Sequence, residues 1–408
     1  MANNLVRRVR FMMLGTLIFS FVLAFLIYQV IPPLMHEVNF FLLLLPSVIV
    51  VMIPMFRANP TYPEKGKNEH RVSILIPARD EEKVIFHTLK RLTELNYGNY
   101  EVIVIDDGSN DRTGIIADEF SSKHKNFKVV RIPSEHPEHG KAKAVNEGVK
   151  IAQGDIILIL DADNLVDPNY LEKALKPFAD SSVAGVQTAI DAYNTHKNVC
   201  TFIAGNELLF TNILMKYFLP GRSFGCGFLI RRKVLEKIPP LRSYTVSEDE
   251  QMTASIKKEG SKLVYCTDAV VHEHVPESFR HMFKQRKRWF LGSMYELLIK
   301  NRIAALLQTV LIILIDLGLA ELVFKPFSFL SSLLIGTAIA AFVLILSKSR
   351  EFSIEKPVNV FLGTLASYSI NLLMYNYVFL KLLALTPDDL KWYKTPKTPV
   401  ECQEERSQ

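Results

Sequence analysis

The chain has 408 residues, of which 49% are hydrophobic and 22% charged, and its formal net charge is +6. This charge is too small to indicate nucleic-acid binding, and the abundance of large apolar residues excludes intrinsic disorder. A positive mean hydropathy argues against a purely soluble protein, whereas the charged fraction is too high for a chain that lies entirely within a membrane. The four cysteines form no CxxC pair and no regular framework, which argues against zinc and disulfides and fits a reducing compartment.

Two apolar segments near the N-terminus are each long enough to cross a bilayer. Phe11–Val30 and Val38–Phe56 contain no charged residue, and each matches the roughly 30 Å hydrocarbon layer. Three arginines among the first ten residues place the N-terminus in the cytoplasm by the positive-inside rule. We therefore predict a transmembrane hairpin over residues 1–57, in preference to a cleaved signal peptide.

The hydrophobicity falls after this hairpin and rises again near Ile303. The first apolar stretch that follows contains Asp316 and Glu321, and intramembrane carboxylates usually face a polar interior or a cavity. Three crossings would leave the short tail over 389–408 outside the cell, whereas the lysines of this tail favour the cytoplasm. One of the three apolar stretches is therefore open to interpretation as a re-entrant or interfacial segment. We predict a C-terminal transmembrane region over 303–388, with apolar stretches at Ile303–Phe324, Leu330–Ser347 and Val358–Thr386.

Residues 71–190 alternate short apolar runs with helical patterns. Runs that are apolar on both faces and separated by helices predict a parallel α/β sheet. Ligands in such sheets bind beyond the carboxyl ends of the strands, so the residues that follow each strand are candidates for the site. The predicted strands are Arg71–Ile76, Tyr100–Ile105, Phe127–Ile132 and Asp155–Leu160, and the predicted helices are Glu81–Leu95, Arg112–His124 and Lys141–Ala152.

Carboxylates follow three of these strands. The sequence PARDEE begins at Pro77, DDGSND begins at Asp106, and DAD begins at Asp161. Aspartate also caps helices and forms turns, and capping is the favoured role for Asp111. Three acidic clusters at one edge of a sheet indicate a functional site rather than three helix caps.

The pair Asp161 and Asp163 follows a buried strand. Because these residues are two apart in an extended segment, their side chains point the same way, and their hard oxygens suit Mg²⁺ or Mn²⁺ bridging a diphosphate. Lys141 begins a predicted helix whose backbone N–H groups could meet phosphate oxygens; an exposed basic helix start is the alternative. His272 and His274 are interpreted as strand-end residues, with metal ligation as the alternative.

An acidic segment that includes Glu248 and Asp249 precedes the amphipathic stretch Gln251–Lys258. The helix dipole favours acidic residues in a first turn, and a general base would be equally well placed there, so both roles can hold. Gly225 and Gly227 are the small residues on either side of Cys226. They form a turn where an acceptor sugar could approach the backbone.

The segment Phe279–Leu298 has the apolar spacing of an amphipathic helix. Four basic residues between positions 284 and 288 fit a helix that lies on an anionic membrane surface. Gln285, Arg288 and Trp289 share one face and could bind a leaving diphosphate and stack on a sugar ring. Interfacial anchoring alone is the alternative explanation for the tryptophan and the charges.

Seven motifs in order resemble those of the membrane-embedded family 2 glycosyltransferases, the group that contains cellulose, hyaluronan and poly-N-acetylglucosamine synthases. They are PARDEE, DDGSND, HGKAKAVNEG, DAD, FGCGFLIRR, SED and QRKRW, between Pro77 and Trp289. The resemblance implies an α/β, GT-A-type nucleotide-sugar-binding domain with a mostly parallel sheet, inserted between N- and C-terminal transmembrane helices. It places the cytoplasmic domain over 58–277 and an interfacial helix over 278–302.

The resemblance also implies a role for each motif. The first two motifs would hold the base and ribose of the nucleotide, DAD the diphosphate and a divalent Mg²⁺ or Mn²⁺, SED the general base, and QxxRW the diphosphate and acceptor. The implied donor-site residues are Pro77, Glu81, Asp107, Lys141 and Asp161, and the implied metal ligands are Asp161 and Asp163. The implied general base is Asp249. The implied diphosphate and acceptor residues are Gly227, Glu248, Gln285, Arg288 and Trp289.

Three positions depart from the family pattern. Arg79 replaces an aromatic or small residue, Asp80 replaces asparagine, and Ser247 replaces threonine. None of these changes removes a functional group that the chemistry requires, although Arg79 affects the expected contacts to the nucleobase.

The implied reaction is an inverting displacement at the anomeric carbon of a nucleotide sugar, with UDP favoured by the resemblance alone. We expect a processive polysaccharide synthase that passes its polymer across the plasma or inner membrane, with the catalytic domain cytoplasmic and no nucleic-acid partner. A single-transfer enzyme with a lipid or polyprenyl acceptor shares the same motifs and is the main alternative. A non-catalytic nucleotide-sugar sensor or transporter is a third interpretation.

Overall fold

The computed structural model describes residues 70–136, 139–219, 221–223, 225–241 and 248–300, together with parts of 309–382. The chain divides between Ser278 and Phe279 into two compact units. The described part of the first unit is an α/β domain, and that of the second is helical. The predicted hairpin over 1–57, the predicted tail over 389–408 and Ser247 lie outside the described residues.

A mixed sheet of eight strands forms the first unit's described part, in the order β3-β2-β1-β4-β7-β6-β8-β5. The neighbours β3, β2, β1 and β4 are parallel, as predicted, and so are β6 and β8. Strand β7 runs antiparallel to both β4 and β6, and β5 runs antiparallel to β8. The strands are β1 Val72–Ala78, β2 Tyr100–Asp106, β3 Phe127–Arg131, β4 Ile156–Ile159, β5 Leu165–Val166, β6 Val183–Ala192, β7 Phe228–Arg231 and β8 Lys262–Glu273.

The prediction of a mostly parallel sheet therefore describes only part of the domain. A parallel connection needs a crossover, as the helices between the first strands provide. Strand β7 instead follows a glycine-containing loop and enters between β4 and β6 in the opposite direction. The sheet is mixed because of this strand and the two-residue β5.

Helices cover the sheet on both faces, which gives the domain two apolar cores. Alternate residues of the central strand β1 enter opposite cores: Ile74 and Ile76 lie in one and Leu75 in the other, all fully buried. The helices of this unit are α1 Ile85–Thr93, α2 Thr113–Lys123, α3 Lys141–Ile151, α4 Tyr170–Leu175, α5 Val199–Tyr217, α6 Arg232–Leu235 and α7 Glu248–Lys258.

Two predicted helix starts are shifted in the structure. The first helix was expected from Glu81 but begins at Ile85, because the carbonyl of Glu81 accepts the N–H groups of Val84 and Ile85 in a turn. Helix α7 begins at Glu248, so that the acidic residues lie within its first turn rather than ahead of it.

The second unit contains α8 Phe279–Lys300 and α9 Pro357–Leu382. Within the described residues, one helix is long and apolar enough to cross a membrane, over Pro357–Met374. Large apolar side chains of α9, such as those of Leu362 and Leu365, are exposed, whereas the polar side chains of Thr364, Ser367 and Asn371 are buried. This burial pattern is the reverse of that of a helix in water. Most of the other predicted spans, 303–324 and 330–347, falls outside the described residues.

Candidate active site

Hydrogen bonds join the loops that follow β1 and β2 at the carboxyl edge of the sheet. Asp80 accepts a hydrogen bond from the backbone N–H of Asn110 at 2.7 Å and donates its own N–H to Ser109 Oγ at 3.0 Å. The N–H of Glu81 bonds Thr113 Oγ1 at 2.7 Å. Asp80 adopts a positive φ of 53°, a conformation that aspartate tolerates better than most residues. These bonds fix the backbone of both acidic motifs.

The capping role expected for Asp111 agrees with its contacts. Its carboxylate accepts the N–H of Thr113, the first residue of α2, at 2.9 Å, and that of Glu82 at 3.1 Å. Asp111 therefore connects the start of α2 to the first acidic loop.

Asp107 is buried at the end of β2 and has several partners. Its Oδ1 lies 2.8 Å from His139 Nδ1, its Oδ2 accepts the N–H of Gly140 at 2.7 Å, and Arg79 Nη1 lies 3.9 Å away. The other ring nitrogen of His139 lies 3.1 Å from the carbonyl of Ser134. His139 was not among the predicted site residues, although it precedes Gly140 in one of the quoted motifs. Arg79, a departure from the family pattern, is an ionic partner of Asp107.

Lys141 connects the acidic groups that follow β4 to those at the start of α7. Its ammonium donates to Asp161 Oδ1 at 2.5 Å and to the carbonyl of Gly225 at 2.6 Å, and lies 3.9 Å from Glu248 Oε1. Burial alone would lower the pKa of Lys141, but the carboxylates of Asp161 and Glu248 raise it above its ordinary value. Lys141 is therefore a stable cation, and the interpretation of an exposed basic helix start is wrong.

The DAD motif supplies carboxylate oxygens, the type of ligand that a divalent cation prefers. Asp163 is buried, and the pKa of the Cys226 thiol is raised by burial and then by the charges of Glu273, Asp161 and Asp163. Lys141 is the cation that partly offsets these carboxylates. Oxygen ligands and an excess of negative charge suit Mg²⁺ or Mn²⁺. Within the described ranges, no group of three His, Cys, Asp or Glu residues is arranged to hold a metal.

The contacts of the two histidines fit ordinary strand-end residues. His272 lies between Asp191 and Asp167, at 3.8 and 4.0 Å, and His274 Nε2 lies 3.0 Å from Glu277. Each histidine is therefore placed by carboxylates of the surrounding strands and loops.

Asp249 occupies the first turn of α7 and is partly buried. Burial, followed by the charges of Glu248 and Glu250, raises its pKa to about 7, and Lys141 opposes this effect. A Cβ atom on Gly225 would lie 3.4 Å from Asp249 Cβ and 3.5 Å from Lys141 Nζ, and Gly225 has a φ of +80°. A glycine here allows the loop backbone to pass between the two charged groups.

Of the remaining predicted site residues of the first unit, Pro77 lies within the sheet and Gly227 lies directly before β7. Pro77 is part of β1 and is paired with Ile105. Gly227 has a φ of +61°, and its carbonyl accepts from Thr188 N at 3.1 Å and Oγ1 at 2.9 Å. A Cβ atom there would lie 2.5 Å from Thr188 Oγ1 and 2.8 Å from Val271 Cγ2. These contacts account for glycine at position 227, and contact with an acceptor stays a prediction.

Gln285, Arg288 and Trp289 lie on α8 in the second unit. Trp289 is 41% exposed, and the guanidinium of Arg286 lies 4.8 Å from the centre of an indole ring, in cation–π contact. Arg286 is buried, whereas the sequence analysis assigned it to a basic surface.

Comparison with known proteins identifies part of the α/β domain, up to residue 239. The profile of glycosyl transferase family 2 matches residues 73–239. A probable glycosyltransferase, YdaM of Bacillus subtilis, is 32% identical over 59% of each chain, and an uncharacterized protein of Methanocaldococcus jannaschii is 33% identical over 47% of this chain and 83% of that protein. The chain thus spans little more than half the length of the first of these relatives.

Relatives and a solved structure extend the comparison. A beta-monoglucosyldiacylglycerol synthase of Nostoc is 29% identical over 57% of this chain and 52% of that protein. A poly-beta-1,6-N-acetyl-D-glucosamine synthase of Staphylococcus epidermidis is 27% identical over 58% of each. The mannosyltransferase PcManGT of Pyrobaculum calidifontis, solved with GDP-Man and Mn²⁺, shares the fold, with a TM-score of 0.51 and 18% identity over 85% of this chain and 94% of that one. Residues 73–239 therefore form a domain of glycosyl transferase family 2.

Proposed function

We propose that the protein is an inverting membrane glycosyltransferase that moves a sugar from a nucleotide-sugar donor to an acceptor hydroxyl with the help of a divalent metal. The observation that carries this proposal is the position of Lys141, whose ammonium contacts Asp161 and faces the first turn of α7, where Asp249 lies. A diphosphate-binding aspartate, a cation and a base with a raised pKa are thereby brought together from three segments of the chain.

Asp249 is the proposed general base. Its pKa of about 7 places it close to the working pH, where a base is still partly ionised and accepts a proton readily. The acceptor hydroxyl gives its proton to the Asp249 carboxylate as its oxygen attacks the anomeric carbon. The bond from that carbon to the diphosphate breaks, and the nucleoside diphosphate leaves with the electron pair. Attack opposite the leaving group inverts the anomeric configuration.

The proposed donor site lies along the carboxyl edge of the sheet. Asp107 and Glu81, with Pro77 beside them, would hold the nucleotide. Asp161 and Asp163 would hold Mg²⁺ or Mn²⁺, which when bound would offset the charge of the diphosphate. The solved mannosyltransferase with GDP-Man and Mn²⁺ supports this combination of donor and metal. Lys141 adds a fixed positive charge on the side of Asp161.

Glu248 and Gly227 are proposed for the acceptor side, and the family resemblance alone assigns Gln285, Arg288 and Trp289 to the diphosphate and acceptor. UDP as the nucleotide rests on the family resemblance. The reversed burial of α9 supports an integral membrane protein, and the predicted topology supports a cytoplasmic catalytic domain in the plasma or inner membrane.

The proposed product is a polysaccharide that is extended processively and passed across the membrane. The similarity to the poly-beta-1,6-N-acetyl-D-glucosamine synthase supports this choice. Transfer of one sugar to a lipid acceptor is the second candidate, because the beta-monoglucosyldiacylglycerol synthase is as similar. Sizing the product made from labelled nucleotide sugars by the reconstituted protein separates the two, since a polymer ladder supports the first and one sugar per lipid the second.

The substitution Asp249→Asn tests the catalytic assignment. We expect kcat to fall by about 100- to 10,000-fold, because an amide cannot accept the proton, while the donor KM changes little. The matched control is Asp118→Asn, which removes an exposed carboxylate from α2 and is expected to leave kcat unchanged. Donor turnover by Asp249→Asn at the native rate would refute the proposed function.

A further inference from the structure

The loop between α5 and β7 lies against the first turns of α7. This glycine loop comprises the described residues 221–223 and 225–227. The guanidinium of Arg222 pairs with the carboxylate of Glu250, and the N–H of Ser223 bonds Thr253 Oγ1 at 3.1 Å. Ser223 Oγ in turn accepts the N–H of Gly225 at 3.1 Å. The loop is thus attached to α7 at two successive turns.

The charges around Asp249 come from three elements. Glu248 and Glu250 flank it on its own helix, and each has a cation from another segment: Lys141 of α3 lies 3.9 Å from Glu248, and Arg222 of the glycine loop pairs with Glu250. The part of the glycine loop that lies nearest Asp249 is Gly225, which carries no charge. Arg222 has no part in the roles assigned above.

We propose that Arg222 is a positioning residue for the base: its pair with Glu250 holds the first turn of α7 against the glycine loop and compensates the negative charge next to Asp249. This inference rests on the proposed function, because it takes Asp249 as the base. Arg222 touches neither reacting group and acts through Glu250. The pair joins residues 28 positions apart, so it fixes the loop and the helix relative to each other.

Removal of Arg222 has a predictable electrostatic sign. Without the guanidinium, the charge of Glu250 is uncompensated and makes ionisation of Asp249 harder, so the acidic limb of the pH profile of kcat/KM moves to higher pH. Arg222 is 44% exposed, and solvent screening limits the movement to about half a pH unit, or about threefold in rate at pH 6. Removal of the Glu250 charge moves the limb the other way.

The test is the pH profile of donor turnover by the full-length protein in lipid vesicles. Arg222→Gln is expected to move the acidic limb upward, Glu250→Gln downward, and the double variant to restore it close to the native position. Arg222→Lys keeps the positive charge and is expected to leave the acidic limb at its native pH. The matched control is Arg91→Gln, which removes an exposed arginine–glutamate pair from α1 and is expected to shift nothing.

The outcomes separate this inference from the proposed function. If the acidic limb is lost in Asp249→Asn but stays at its native position in Arg222→Gln, the inference alone is overturned. Movement of both single variants in the same direction also overturns it, because that result reports a structural disturbance rather than a charge. If Arg222→Gln does not fold, the comparison of the double variant with Glu250→Gln decides, because these two proteins differ only at Arg222; equal limbs in the two overturn the inference. Full turnover by Asp249→Asn refutes the base itself.

Discussion

Three consecutive residues, His139, Gly140 and Lys141, connect the ends of two strands. His139 and the Gly140 N–H hold Asp107 at the end of β2, and Lys141 holds Asp161 after β4. Gly140 has a φ of +113°, a conformation that favours glycine and that lets its neighbours reach opposite partners. The short segment before α3 therefore fixes the spacing between the proposed nucleotide and diphosphate sites.

The substitution His139→Ala tests this arrangement. A hydrogen bond to a charged group is worth about 1.5–3 kcal/mol, so we expect the donor KM to rise roughly tenfold or more, with a smaller change in kcat. His139→Asn retains a donor and is expected to recover part of the loss. His124→Ala, which removes an imidazole in ring contact with Phe120 and Phe127, serves as the control. An unchanged donor KM in His139→Ala would show that Asp107 needs no support from the histidine.

The site residues that could be predicted are those within short motifs. Asp161 follows a recognisable buried strand, and Lys141 follows a glycine at a helix start, so sequence alone suggested both. His139 and Arg222 act through partners 32 and 28 positions away, and nothing in their local sequence specifies those partners. The acidic first turn of α7 was recognisable, but the cations that balance it come from α3 and the glycine loop.

At the scale of elements, strand β7 is where the sequence was least informative. The apolar run Phe228–Arg231 has the same pattern in either direction, so it could not reveal an antiparallel strand among parallel ones. The parallel strands were predictable because each is followed by a helix of its own. The left-handed glycines 225 and 227 allow the chain to turn from Lys141 and Asp249 directly into β7.

The substitution Gly227→Ala tests this turn. The positive φ costs about 1–2 kcal/mol for any other residue, and the added methyl would overlap Thr188 and Val271, so we expect the free energy of unfolding to fall by about 2–4 kcal/mol. Thermal unfolding in detergent or lipid measures the change. Gly98→Ala is the matched control, since a Cβ atom there meets nothing within 4 Å. Equal melting temperatures for the two variants would contradict the argument.

At the scale of the whole molecule, the surface of α9 differs from the surface of the α/β unit. The α/β unit has apolar cores and a polar surface, as expected in water. Helix α9 exposes leucines and tyrosines and buries Thr364, Ser367 and Asn371, and Asn376 bonds Asp316 at 3.0 Å. Polar side chains inside a bundle and apolar ones outside are what a hydrocarbon environment selects.

The substitution Leu365→Lys decides which solvent surrounds α9. Leu365 is 48% exposed near the middle of the candidate span, where a lysine in hydrocarbon costs about 2.5–3.5 kcal/mol. We therefore expect the full-length protein recovered from alkali-washed membranes to fall several-fold. Ile115→Lys, at a 54% exposed apolar position on α2, is the matched control and is expected to be harmless, because water already solvates that face. If water surrounds α9, lysine at position 365 would be equally harmless. Native recovery of Leu365→Lys would therefore place the outer face of α9 in water. That result would remove the main structural support for a membrane span.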